Sequence, residues 1–134
     1  MITIPLEDYT TEVYLDEERD PVIIREVTPK DFYLAAALQD QGGSMDPLLH
    51  NLVVNQDVLE NYTAREFRQI MVWTRENVLD GSLMEIGDWM KMALVLMDGA
   101  WGQSLDWLET QPFSKIQSFV DATVEYRKKN PKLA

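Results

Sequence analysis

The sequence predicts a mainly α fold, a compact helical domain of five to six helices carrying an N-terminal β-hairpin. Three observations predict it. β-branched and aromatic residues alternate with charges only within the first 27 residues. From Thr28 onward, helix-start signals precede runs of apolar residues at helical spacing. A length of 134 residues with 46% hydrophobic content suits one domain that buries most of its apolar surface. The expected organisation is a single domain over 1–134: a hairpin segment 1–27, a helical body 28–129 and a flexible tail 130–134.

The hairpin is read from Thr11-Glu12-Val13-Tyr14-Leu15 and Pro21-Val22-Ile23-Ile24-Arg25-Glu26-Val27, joined by the acidic turn Asp16-Glu17-Glu18-Arg19-Asp20. Thr28-Pro29-Lys30-Asp31 then supplies a hydroxyl cap, a first-turn proline and a third-position acid, which opens a helix from Pro29 to about Gln39 that stops before Gly42-Gly43. A second short helix is expected from Met45 or Asp46 to Asn55. Thr63-Ala64-Arg65-Glu66 has capping-box spacing and opens a third, ending near Asp80-Gly81. Ser82-Leu83-Met84-Glu85 repeats the box and predicts a fourth helix reaching Met97, with Asp98-Gly99 as its stop. A short helix over 104–109 and a last one from Pro112 to about Lys129 complete the reading.

Composition excludes several kinds of function. The chain has no Cys and a single His, so a zinc ribbon, a thiolate nucleophile and a His-rich metal site are all ruled out. A formal charge of −11 repels phosphate backbones and anionic lipid. The longest apolar run, 92–97, is far short of a membrane span, and no secretion signal is present, which predicts a soluble protein that is intracellular or lives inside another cell's cytoplasm. No Gly-rich phosphate loop, nucleophile elbow, HExxH or EF-hand loop occurs. We therefore expect a non-enzyme with no cofactor, no metal, no nucleic acid and no membrane among its partners. His50, amid Pro47-Leu48-Leu49 and Leu52, reads as a packing or helix-surface residue.

The apolar patterning points to a binding protein. On the last helix Phe113, Ile116, Phe119, Val120, Thr123 and Val124 form one ordinary stripe. On the fourth, Leu83, Ile86, Trp89, Met90, Met92, Ala93, Leu94, Leu96 and Met97 cover well over half the circumference. The third has its stripe at Phe67, Ile70, Met71, Thr74 and Val78, while Val72 and Trp73 point to the far side. Core packing is the ordinary reading for any one of Trp73, Trp89, Trp101 and Trp107. Together with seven Met, they suggest apolar surface kept for another chain. The candidate partner-binding residues are Trp73, Trp89, Met92 and Val72, and self-association is expected.

The stretch Val22-Ile23-Ile24-Arg25-Glu26-Val27-Thr28-Pro29-Lys30-Asp31-Phe32, a strand running into a capped helix, resembles the opening of tail assembly chaperones of long-tailed, lambda-like bacteriophages (siphoviruses). Trp107-Leu108-Glu109-Thr110-Gln111-Pro112-Phe113, followed by an amphipathic helix and a short basic end, is similar to how those proteins finish. The resemblance implies a protein of the host cell cytoplasm, absent from the mature virion, that binds the tape measure protein and promotes tail tube assembly. It also implies a longer frameshifted form that recruits the tail tube protein, and Lys128-Lys129-Asn130 is compatible with an A-rich slippery stretch. The alternative is an acidic inhibitor or DNA mimic acting on a nucleic-acid-binding enzyme. An unrecognised small enzyme is a more distant third.

Overall fold

The computed structural model describes residues 2–6, 9–97 and 104–130. Alternation of β-branched and polar residues builds three antiparallel strands in the order β1-β2-β3: Ile2–Leu6, Thr10–Tyr14 and Val22–Arg25. The register pairs Thr3 with Val13 and Val13 with Val22. Val13, Val22 and Ile24 are buried while their strand neighbours are not, as the two-residue period requires. The expected hairpin is thus the inner part of a three-stranded sheet. Its outer strand, β1, alternates in the opposite phase, with Thr3 paired to Val13 and Ile2 and Ile4 exposed, and Pro5 sits at the edge, where its missing N–H is tolerated.

The β2–β3 turn is held by one cation. Arg19 forms ion pairs with Asp16 and with Glu66 at the start of the third helix, and its guanidinium lies 4.6 Å from the centre of the Tyr62 ring. Tyr62 donates its hydroxyl hydrogen to the Asp20 carbonyl at 2.6 Å. Hydrogen bonding from Arg19, and then from the Thr63 N–H, lowers the Glu66 carboxyl from 4.5 to about 2; Arg19 also lowers Asp16. Unfolded chain therefore takes up protons on these groups before the folded chain does. Their contribution is whole above about pH 4.5 and is lost as pH falls toward about 2. In urea titrations across that window Glu66→Gln should show a shallower loss of stability than the wild type, and an equal slope would remove Glu66 as its source.

The helices are α1 (Pro29–Asp40), α2 (Asp46–Asn51), α3 (Ala64–Thr74), α4 (Ile86–Met97), α5 (Leu105–Glu109) and α6 (Phe113–Lys129). A 3-10 turn, Gln56–Asn61, follows α2, and a π turn, Arg75–Leu79, continues α3. At α1 the Asp31 carboxylate accepts from the Thr28 N–H at 2.7 Å and the Thr28 hydroxyl at 3.2 Å. At α3 the box is complete: Thr63 Oγ1 accepts from the Glu66 N–H, and Glu66 accepts from the Thr63 N–H. Gly81, at φ +82, closes the turn after α3 in a conformation that favours glycine.

Two boundaries and one stripe position differ from expectation. The box at 82–85 opens no helix; α4 begins at Ile86, with Trp89 N–H donating to the Glu85 carbonyl at 3.0 Å. Leu83 and Met84 instead pack half-buried against the core, and burying both draws this segment out of helical geometry. The second helix ends at Asn51 because the chain then pairs with the sheet: Arg25 N–H donates to the Leu52 carbonyl and Val54 N–H to that of Ile23. Asn55 locks the junction, its side chain accepting from Ile23 N–H and donating to the Pro21 carbonyl. On α6, Ile116 and Thr123 are buried, but Val124 is 41% exposed and lies outside the expected stripe. The expected stop at Asp98-Gly99, Trp101, and the tail beyond Asn130 lie outside the described residues.

The core joins the sheet's inner face to Phe32, Leu48, Leu52, Ile70, Leu79, Trp89, Leu96, Leu108 and Ile116, all at 1% exposure or less. Phe32 is its hub, meeting Trp89 and Phe113 edge to face at 6.4 and 5.7 Å. α4 packs against α1, α5 and α6, and α3 against α2.

Candidate functional site

The structure separates the four candidate partner-binding residues. Val72 is exposed, whereas Trp73 and Met92 are half-buried and pack against the core. Trp89 is fully buried and corrects the expectation that it faces a partner. Its Nε1–H donates to the Tyr33 hydroxyl at 2.7 Å, and that hydroxyl donates in turn to Glu109 at 3.0 Å. Burial raises the Tyr33 pKa, and acceptance by Glu109 adds to the rise. Trp89 is therefore the polar-tipped centre of the α1–α4–α5 junction. Trp107 is half-buried, stacked on Phe119 at 6.1 Å, with the Lys115 ammonium 5.2 Å from its ring centre.

The apolar excess of α4 has a definite geometry. Trp89, Ala93 and Leu96 make the buried side, and Ile86, Met90, Leu94 and Met97 are 39%, 37%, 59% and 40% exposed. The second set falls at i, i+4, i+8 and i+11, within one arc of about 80° at 100° per residue. It forms a continuous apolar stripe about 16 Å long. Gly87, Asp88 and Lys91 fill the polar remainder. All four stripe residues carry the helical spacing in the sequence. Trp89 and Met92 are expected to face a partner because they flank a core stripe, but Trp89 lies on the side of α4 that the fold buries, with Ala93 and Leu96.

A second apolar surface lies between α2 and α3, where a groove of ≈ 580 Å³ is floored by Leu49, Phe67, Met71 and Val72. His50 leans on Phe67 with ring centres 5.9 Å apart, an exposed helix-surface position. The groove falls between helices whose individual stripes point into the core, so its outline needs their mutual packing.

Among the described residues no group of three or more His, Asp or Glu is placed to hold a metal ion, and no helix is long and apolar enough to cross a membrane. Comparison with family models, with curated proteins and with solved structures finds no match to the chain.

Proposed function

We propose that the chain is a bacteriophage tail assembly chaperone that binds the tape measure protein, keeps it dispersed in the host cytoplasm and is absent from the finished virion. The observation that carries this reading is the exposed α4 stripe of Ile86, Met90, Leu94 and Met97. A stripe three turns long is matched to the apolar face of another helix, and methionines adapt to clients of irregular shape. The sequence resemblance supplies the identity of that helix, because a tape measure protein presents long helical apolar faces until the tube forms around it. The net charge of −11 keeps the coated complex apart from others of its kind. In the same reading the tail tube protein is recruited by a longer frameshifted form, and copies of the chain associate through the stripe when no client is present.

The acidic-inhibitor alternative draws less support from the acidic turn. Arg19 engages Asp16 and Glu66, so the turn offers Glu17, Glu18 and Asp20 as exposed acids rather than an unbroken row.

Co-expression with the tape measure protein of the same phage genome tests the proposal. Wild-type chain should hold that protein in the soluble fraction and co-purify with it. Met90→Asp/Leu94→Asp should lose the client while keeping the wild-type melting temperature, since both side chains face outward. A tape measure protein that stays insoluble beside wild-type chain refutes the chaperone reading. A double variant that still co-purifies refutes only the stripe.

A further inference from the structure

Between Asp31 and Met90 the basic residues are Arg65, Arg68 and Arg75, and all three stand on the exposed side of α3 and its π-turn continuation. With Val72 they follow one another at i, i+3, i+7 and i+10, a single helical face. Arg68 and Arg75 border the α2–α3 groove, and neither side chain forms an ion pair among the described residues. By contrast Arg19 and Arg25 are fully engaged by carboxylates. In so acidic a chain, unengaged guanidiniums beside an apolar floor form a local field opposite to that of the whole molecule. The facing wall carries His50 and, at the start of α2, Asp46.

We propose that this groove binds an acidic amphipathic helix of a partner protein, its apolar side chains seated on Phe67, Met71 and Val72 and its carboxylates over Arg68 and Arg75. The two arginines are seven residues apart, about 10 Å along a helix. That is the spacing at which a partner helix presents carboxylates on one edge two turns apart. Charge complementarity selects the partner: a basic helix would meet Arg68 and Arg75 with like charge, and a nucleic acid has no apolar helical face to seat on Phe67, Met71 and Val72. The assignment is independent of the α4 stripe and its client.

The test uses two labelled synthetic helical peptides with the same leucine face, one flanked by glutamates and one by lysines, titrated with full-length protein by fluorescence anisotropy. The glutamate peptide should bind the wild type, and more weakly as salt rises. Arg68→Glu/Arg75→Glu should reduce its affinity about tenfold, as two exposed attractions turn into repulsions. Met90→Asp/Leu94→Asp should bind it as the wild type does. The proposal is overturned by equal or tighter binding of the lysine peptide, or by unchanged affinity in the arginine variant with its melting temperature intact. It is equally overturned by loss of binding in the α4 variant, which would put the peptide on the stripe. A wild-type dimer that dissociates on charge reversal in light scattering would make the occupant a second copy and overturn the heterologous partner.

Discussion

Trp89→Ala should lower the unfolding free energy by about 3–5 kcal/mol, the range for a large aromatic removed from a packed core. The side chain is completely buried, meets Phe32 edge to face and donates its one polar hydrogen to Tyr33. Its removal leaves a cavity at the junction of α1, α4 and α5 and takes away the donor to the Tyr33 hydroxyl. Trp89→Phe should cost less, because it restores most of the volume and loses mainly the hydrogen bond. Trp73→Ala, at a half-buried position, should cost less than Trp89→Ala, and the difference between the two is the measurement that ranks core against surface. Urea denaturation followed by circular dichroism reads all three. A Trp89→Ala protein of near wild-type stability would return Trp89 to the list of partner-binding residues.

Asp31→Ala should be the second most damaging change, costing about 3 kcal/mol, because one side chain serves two structural purposes. The Asp31 carboxylate, 3% exposed, accepts from Arg25 Nη1 and Nη2 at 2.8 and 3.1 Å. It also accepts from the Thr28 N–H and hydroxyl at the start of α1. Losing it unties the sheet from the first helix and leaves Arg25 without its carboxylate. Arg25→Ala should be similarly harmful, since it strands a buried charge. The double variant should then cost clearly less than the sum of the singles, the signature of one shared interaction. Additive losses would mean that the ion pair and the cap act separately.

The sequence-to-structure relation follows a simple division. Helix starts coded by neighbours within four residues were legible, as at Thr28 and Thr63, because each cap is completed locally. The box at 82–85 has the same spacing but opens no helix, since partial burial of Leu83 and Met84 outweighs about 1 kcal/mol of capping. The end of α2 was illegible for a similar reason: the competing hydrogen bonds at Leu52 and Val54 come from β3, far away in sequence. Strand β1 is weakly marked in the sequence although Ile2-Thr3-Ile4 alternates, because Pro5 interrupts so short a run. For the surfaces, the two-sidedness of α4 was visible, while the choice of exposed side depended on which face α1, α5 and α6 cover. The α2–α3 groove, being a property of two helices at once, had no signature in either.

The start of α6 is capped from a distance. Glu26 accepts from the Ser114 N–H at 2.7 Å and the Ser114 hydroxyl at 2.9 Å, and Phe113 N–H donates to the Val27 carbonyl at 2.8 Å. Pro112 has no hydroxyl or carboxylate to cap its own helix, so the chain uses a glutamate made 88 residues earlier. This arrangement sets an order on biosynthesis. The sheet and α1 leave the ribosome with Phe32 lacking its Phe113 neighbour, and they wait in that condition while everything between is translated. Only when α6 emerges does the nascent polypeptide acquire the lock that joins its two halves. Until then the side of Phe32 that Phe113 will cover has no neighbour from its own chain, so closure of the core is the last step that translation permits.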